Sequence, residues 1–276
     1  MGGDVSRFFK SKPADAVSFV ALGCTHDPLI DPDFLRWSCE LIQEIRPQHL
    51  IHLGDAHEAK SAAKWPNEYG WSLEDEYRGV NNTLQSLRKS APDECKLVLL
   101  PGNHDDNLIC QNRFAKDLRS LLDWRVPQHD SSGRLINEEI VRHWSTNRQY
   151  AYSRRKGCYR IGNVAFVHGY EAGGSSDESQ AIYFCDQNGL LVSAHTHRPT
   201  PGGPKRANKT KTIPLPYYYL NTGCGRLMEC DYMMRKRQQL WGQALVYGWA
   251  KLTHGPRQSI TWDARCELFR MFDDVN

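Results

Sequence analysis

Five short apolar runs punctuate the first two-thirds of the chain, and each is cut off by glycine or by polar residues. Val17–Leu22 runs into Gly23 and Cys24-Thr25-His26, and Leu50–Leu53 runs into Gly54-Asp55. Leu97–Leu100 leads through Pro101-Gly102 to Asn103-His104-Asp105. Val164–Val167 stops at His168-Gly169, and Leu190–Ala194 stops at His195-Thr196-His197. Short runs rich in β-branched residues and bounded by turn formers read as buried strands. Helical spacing fills the gaps. Asp31-Pro32 offers a capping side chain followed by proline at the first helical position, and Phe34, Leu35, Leu41, Ile42 and Ile45 recur on one face until Pro47 ends the helix. A second helix opens near Ser72, with Asp75 three residues on and an apolar face of Leu73, Tyr77, Val80, Leu84 and Leu87. A third is expected over Asn112–Leu122. Strands alternating with helices predict a sheet with parallel pairings and helices on its faces.

The pattern changes after residue 145. Arg148–Ser153, Cys158–Ile161 and Val164–His168 read as short strands, and a helix near Ser176–Cys185 follows before Leu190. Tyr217–Asn221, Arg226–Cys230, Ala244–Leu252 and Ser259–Met271 read as further strands that suit a second sheet packed on the first. The Pro-, Gly- and Lys-rich stretch Pro199–Lys211 reads as a mobile loop. The expected fold is α/β, with two stacked mixed β-sheets flanked by helices as a four-layer αββα sandwich. It forms one domain over residues 15–276 behind a flexible leader of residues 1–14. Met1-Gly2-Gly3-Asp4-Val5-Ser6 fits an N-myristoylation pattern only formally and reads as part of that leader.

Composition narrows the class. Hydrophobic residues make up 40% and charged residues 24% of 276, the balance of a soluble globular protein with a substantial core. No apolar run approaches the roughly 20 residues that span a bilayer, and no N-terminal stretch has the apolar core of a signal peptide, so no membrane partner is expected. The net charge of +3 is too small for whole-molecule attraction to nucleic acid, which leaves only local patches. Nine cysteines, an odd number with no CxxC pair, read as reduced thiols of a cytoplasmic protein, with Cys24 set apart by its place in the first motif.

All five apolar runs end in residue types that bind metal ions. Cys24-Thr25-His26, Gly54-Asp55-Ala56-His57, Gly102-Asn103-His104-Asp105, His168-Gly169 and Ala194-His195-Thr196-His197 occur in that order over residues 17–199. Together they resemble the calcineurin-like metallophosphoesterase family, whose pattern is D-x-H, GDxx, GNH with an acidic residue, a lone His and GHxH. The resemblance implies a dinuclear site for two divalent metal ions, Mn, Zn or Fe. It implies that Asp55 bridges the ions, that Cys24, His26 and His197 hold one, and that Asn103, His168 and His195 hold the other. His104 is implied to be the catalytic group that stabilises the transition state and protonates the leaving oxygen, with Asp105 placed to orient it. Two cations a few ångströms apart neutralise phosphoryl oxygens and supply a hydroxide nucleophile at neutral pH. The implied activity is that of a metal-dependent phosphoric ester hydrolase, read here as a phosphodiesterase acting on a nucleotide or nucleic acid. A phosphomonoesterase or protein phosphatase, and a scaffold that has lost catalysis, are the alternatives. Cys24 and Ala194 depart from the family's Asp and Gly. Cys24 is read as a thiolate ligand favouring a softer ion; a silent position, or Asp27 as a substitute carboxylate, are the competing readings.

Several residues outside these roles remain. His57 and Glu58 stand close enough to line the pocket, and His52 reads as a hydrogen-bonded core residue. His49, His129, His143 and His254 read as surface residues. Between Ala56 and Trp71, Lys60, Lys64, Trp65, Tyr69 and Trp71 interleave charge with aromatic rings, as a packed loop or as a surface for stacked bases. Basic clusters at Arg154-Arg155-Lys156, at Lys205, Arg206, Lys209 and Lys211, and at Arg235-Lys236-Arg237 read as solvated tips. Arg198 stands where it could reach a phosphate or hold its own loop.

Overall fold

The computed structural model describes residues 5–60, 69–105, 144–146, 158–170, 173, 175–207, 216–229, 240–252 and 260–272. The expected helix Asn112–Leu122 and strand Arg148–Ser153 lie outside them, as do His129, His143, His254 and the basic clusters at 154–156 and 235–237.

In chain order the elements are α1 (Val5–Lys10), β1 (Ala16–Leu22), α2 (Pro32–Ile45), β2 (His49–His52), α3 (Leu73–Ser90) and β3 (Lys96–Leu99). There follow β4 (Trp144–Thr146), β5 (Tyr159–Ile161), β6 (Val164–Phe166), α4 (Ser176–Phe184) and β7 (Leu190–Ser193). β8 (Lys205–Arg206), β9 (Tyr218–Asn221), β10 (Gly242–Lys251) and β11 (Trp262–Met271) complete them. One sheet has the order β11-β10-β1-β2-β3-β4 and the other β5-β6-β7-β9-β8. β1 to β4 run parallel in the first, and β6, β7 and β9 run parallel in the second.

Side chains of a strand alternate between the two faces of its sheet, and here both faces are covered. Phe19, Ile51 and Val98 meet Val164, Phe166, Leu190 and Val192 between the sheets, with the Phe19 and Phe166 rings edge to face at 5.0 Å. One position along, Val20, Leu22, Leu50 and Leu97 face Phe34 and Ile42 of α2 and Val80, Leu84 and Leu87 of α3. On the far side, Ala165, Val167 and Leu191 pack on Ala181 and Phe184 of α4. The layers are therefore helix, sheet, sheet, helix. Burial on both faces is why these strands read as unbroken apolar runs. The helix starts follow local chemistry. Asp31 accepts from Asp33 N at 2.9 Å and Phe34 N at 3.3 Å. Ser72 and Asp75 close a capping box, at 3.2 Å from Asp75 N and 2.9 Å from Ser72 N. Among the described residues no helix is long and apolar enough to cross a membrane.

Four details differ from the sequence reading. β10 and β11 do not join the second sheet; β10 pairs antiparallel with β1, from Ala16↔Lys251 to Ala21↔Val246, and extends the first sheet. Arg226–Cys230 is not a strand in its described part: Arg226 makes a single bridge to Ile30 while its side chain is fully buried. Within the expected leader, Val5–Lys10 form α1, where Val5 is buried and Phe8 stacks edge to face on Tyr247 at 5.2 Å. In the stretch expected to be a mobile loop, Lys205 and Arg206 pair with Tyr219 and Tyr218.

His52 is the core residue its sequence context suggests. Gly54 N donates to its Nδ1 at 3.2 Å, which leaves Nε2 to carry the proton, 3.2 Å from Thr25 Oγ1. Burial pushes its pKa from 6.5 down to about 4. Below pH 6.5 the unfolded chain takes up a proton that the folded chain resists until about 4, so this contribution is present above the upper value and is lost as the pH falls through the window. The difference is on the order of 3 kcal/mol. The unfolding free energy of the metal-free protein is expected to fall between about pH 6.5 and about pH 4, and His52→Gln is expected to flatten that fall in urea titrations; an equal slope in the variant counts against it. His49, expected at the surface, is half-buried and meets Tyr159 OH at 2.8 Å.

Candidate metal centre

Every residue of the predicted centre lies just past the end of a strand. β1 delivers Cys24 and His26, β2 delivers Asp55, β3 delivers Asn103 and His104, β6 delivers His168, and β7 delivers His195 and His197. Parallel strands bring such ends to one edge of a sheet. The local backbone is bent to bring the side chains inward. Among the described residues, eight non-glycine residues have positive φ, and five of them are Cys24 (54°), His26 (50°), Asp55 (50°), His195 (63°) and His197 (60°). Each such residue costs on the order of 1 kcal/mol or more and persists only where its surroundings impose it. Glycine is needed where the second and third loops touch. A Cβ on Gly54, itself at φ 103°, would stand 2.5 Å from Gly102 N, and one on Gly102 would stand 2.1 Å from Asp55 Oδ1.

The seven predicted metal-binding positions converge. Asp55 Oδ2 is 3.1 Å from His168 Nε2 and 3.7 Å from His26 Nε2, while its Oδ1 accepts from His104 N at 2.9 Å. His26 Nε2 lies 3.1 Å from His197 Nε2. His168 Nε2 lies 3.1 Å from Asn103 Oδ1 and 3.2 Å from His195 Nδ1. The Cys24 thiol accepts from His195 N at 3.2 Å. Cys24, His26 and His197 form one group whose ligand atoms lie within 4.8 Å of one another, and Cys24, Asp55 and His168 form a second. Cys24 thus belongs to both groups. Asp27, the other candidate for the missing carboxylate, turns to α3, where Thr83 Oγ1 donates to it at 2.7 Å.

The electrostatics suit a cation. His168 Nδ1 lies 3.0 Å from Leu53 O, which fixes the proton on that nitrogen and leaves the lone pair of Nε2 facing Asp55 and Asn103 Oδ1. Burial lowers the pKa of His26, holds His197 well below its ordinary value and brings His195 to about 4, so these imidazoles are neutral donors. Burial raises the Asp55 carboxyl, but His168 and His104 outweigh this and hold it well below the usual carboxylate range. Burial, with Asp55 nearby, holds the Cys24 thiol well above 9, so without a cation it keeps its proton. A ring of lone pairs around one carboxylate is unfavourable when nothing positive sits among them, and the donor set of sulfur, imidazole and carboxylate matches divalent transition ions.

His104 is 27% exposed at its side chain, more open than its buried neighbours. Its Nδ1 lies 2.6 Å from the main-chain carbonyl of Glu58. Burial lowers its pKa, yet Asp55 and Glu58 prevail and hold it above the ordinary value. Asp105 does not orient it. The two Asp105 oxygens accept from Gly102 N at 2.9 Å, His57 N at 3.0 Å and Ala56 N at 3.2 Å, and one lies 2.9 Å from His57 Nδ1. Next to a helix-like turn, adjacent side chains diverge, and Asp105 clasps the two glycine-bearing loops together.

Arg226 and Asn221 support the site without any mark in the sequence, whereas Glu58 was expected to line the pocket. Glu58 is fully buried, with Oε2 2.8 Å from His26 Nδ1 and 3.3 Å from Arg226 Nη1. Its position three residues after Asp55 hinted at the site, but nothing in the sequence marked Arg226. Asn221, at the end of β9, donates from Nδ2 to Ala194 O at 2.8 Å and to Asp177 Oδ1 at 3.1 Å, and so holds the loop that carries His195 and His197. Tyr69 and Trp71 are stacked at 4.2 Å with 9° between their planes; Lys64 and Trp65 lie outside the described residues.

The family model for calcineurin-like phosphoesterases matches residues 17–199. No curated protein matches the chain significantly. Among solved structures the chain is similar to vacuolar protein sorting 29 of Cryptosporidium parvum, at 12% identity over 92% of this chain and 98% of that one, with a TM-score of 0.40. It is similar to wild-type Vps29 complexed with Zn²⁺ from Entamoeba histolytica, at 14% identity over 92% and 99%, with a TM-score of 0.37.

Proposed function

The chain belongs to the calcineurin-like phosphoesterase family, and from that premise we propose that it is a dinuclear, divalent-metal phosphodiesterase whose substrate is a nucleotide or a nucleic acid. The observation that carries the proposal is the position of the Asp55 carboxylate, with Oδ2 near the imidazoles of His26 and His168 and Oδ1 held by His104 N. Asp55 would serve both ions; Cys24, His26 and His197 would hold one, and Asn103, His168 and His195 the other. When bound, the ions supply charge neutralisation at the phosphoryl oxygens and a water acidified for attack. The chain supplies the proton. With Nδ1 on the Glu58 carbonyl, His104 can present Nε2–H to the leaving oxygen in its charged form, which the carboxylates around it favour. The half-buried Tyr69–Trp71 stack, a short way along the chain from Glu58, supports a substrate that carries a base.

Cys24 favours a second reading, a scaffold with weakened metal binding, because its thiol must lose a proton before it binds an ion. One set of measurements separates the two. Purified protein is expected to hold two ions of Mn²⁺, Zn²⁺ or Fe²⁺ and to cleave bis-(p-nitrophenyl) phosphate faster than p-nitrophenyl phosphate. Cys24→Ala is expected to weaken one ion. Faster cleavage of the monoester overturns the diester assignment, unchanged stoichiometry and activity in Cys24→Ala reject the thiolate, and absence of metal and of hydrolysis gives the scaffold reading.

A further inference from the structure

β7 is an apolar run up to its last residue, and that residue is a serine. Leu191, two positions earlier on the same face, packs on α4. Ser193 faces α4 as well, but it is fully buried and donates from Oγ to Asp177 Oδ1 at 2.6 Å. Asn221, also fully buried at the end of the neighbouring β9, donates from Nδ2 to the same oxygen at 3.1 Å. Asp177 is the second residue of α4, a helix that carries none of the predicted ligands. Ala181 and Phe184 already give α4 an apolar seat on the sheet. Burial raises the Asp177 pKa, and the bonds from Ser193 and Asn221, with the charges of Arg198 and Lys205, offset part of this. Drawing a carboxylate out of water is unfavourable, so docking of the helix alone does not account for it.

The carboxylate bears on the turn beyond β7. Asn221 Nδ2 also donates to Ala194 O at 2.8 Å, and Asn221 Oδ1 accepts from Gly223 N at 2.8 Å. The amide is thereby fixed in orientation, its oxygen toward Gly223 and its nitrogen toward Asp177 and Ala194. Ala194 O is the pivot of the turn, because it accepts from Thr196 N as well, at 2.7 Å. His195 and His197, on either side of Thr196, have φ of 63° and 60°, a backbone that persists only where its surroundings impose it. In the proposed centre these two histidines serve different ions. We infer that Asp177 is a positioning residue: by orienting Asn221 it sets the turn that carries His195 and His197, and so acts on both ions at once from a helix outside the motifs. Only the effect on the ions rests on the reading of the two histidines as ligands; the control of the turn does not.

The test uses full-length protein, first metal-free and then titrated calorimetrically with Zn²⁺. Both bonds to Asp177 end on one oxygen, so the turn requires an acceptor there and not a charge. Asp177→Ala is expected to weaken both Zn²⁺ ions about 10-fold. In the metal-free protein it is expected to speed hydrogen exchange at the amides of Ala194, Thr196 and Gly242, which bond to His168 O, Ala194 O and His197 O. Asp177→Asn keeps an oxygen for both donors and is expected to restore affinity and protection together. Should Asp177→Ala fail to fold, Asp177→Leu/Ser193→Ala removes the carboxylate and the hydroxyl, leaves Asn221 without that acceptor and is read in the same way. A lowered melting temperature with unchanged Zn²⁺ affinity makes Asp177 a structural residue and overturns the inference. Weakening of one ion alone overturns it too, and so does an asparagine variant as impaired as the alanine one. Wild-type protein that binds no Zn²⁺ overturns the metal-centre reading instead. The exchange rates of the metal-free protein then decide the role of Asp177, and unchanged rates in Asp177→Ala overturn it.

Discussion

Replacing His104 with alanine is expected to slow diester hydrolysis about 10²–10⁴-fold while the metal content stays unchanged. At 1.36 kcal/mol per decade this is a barrier increase of about 3–5 kcal/mol, within reach for loss of a single proton donor. The structure separates the two halves of this expectation. His104 touches Asp55 through its main-chain N, which alanine keeps, so the carboxylate retains that donor. Its imidazole is tied to Glu58 O on one nitrogen and is partly open to solvent. Removing it therefore takes away an acid without removing a support of the centre. Steady-state rates on bis-(p-nitrophenyl) phosphate, with metal analysis of the same sample, check both halves. Unchanged turnover would remove His104 from the chemistry, and lost metal would make it a structural residue.

Asp55→Asn is expected to be more severe, with both ions weakened and hydrolysis reduced by about 10³-fold or more, since metal assistance contributes several kcal/mol. The substitution keeps the size of the side chain and an oxygen able to accept from His104 N. It removes the charge that sits 2–3% exposed between the imidazoles of His26 and His168, and it places an amide N–H₂ where a carboxylate oxygen faced them. The metal-free fold is expected to survive, because the positive-φ backbone at residue 55 tolerates asparagine well. Metal analysis, activity and thermal unfolding without metal distinguish the outcomes. A variant that keeps two ions and full activity would mean that Asp55 bridges nothing.

The strands that carry the site were legible because parallel strands buried on both faces leave continuous apolar runs, and the motif residues follow directly at their ends. The helix starts at Asp31 and Ser72 were legible because capping is local. Pairing partners were not. β10 has a strand's composition, but nothing in its own residues says that it lies against β1 and not in the other sheet. Gly248, opposite Phe19, records the fit only once the pairing is known; a Cβ there would meet Phe19 Cζ at 2.8 Å. Arg226 was hidden for the same reason. Arginine is ordinarily a surface residue, and its burial depends on a carboxylate 168 residues away in the chain. Asp105 was placed in the right neighbourhood with the wrong contact, since residue spacing does not set the direction of a side chain in a turn. The His168 tautomer likewise belongs to the folded state, because Leu53 O selects it across a gap of 115 residues.

The family match ends at residue 199, but the fold does not. β1, which leads into Cys24 and His26, has β2 on one flank and β10 on the other, and β10 comes from residues 242–251. A chain cut at the limit of the match would leave β1 with a row of bare amides and carbonyls, an invitation to aggregate, and would leave Glu58 without its guanidinium. The border of the family match and the border of cooperative folding therefore differ in this molecule: the matched part is not a self-sufficient unit, and the strand that leads into Cys24 and His26 is hostage to the last thirty-odd residues of the sheet.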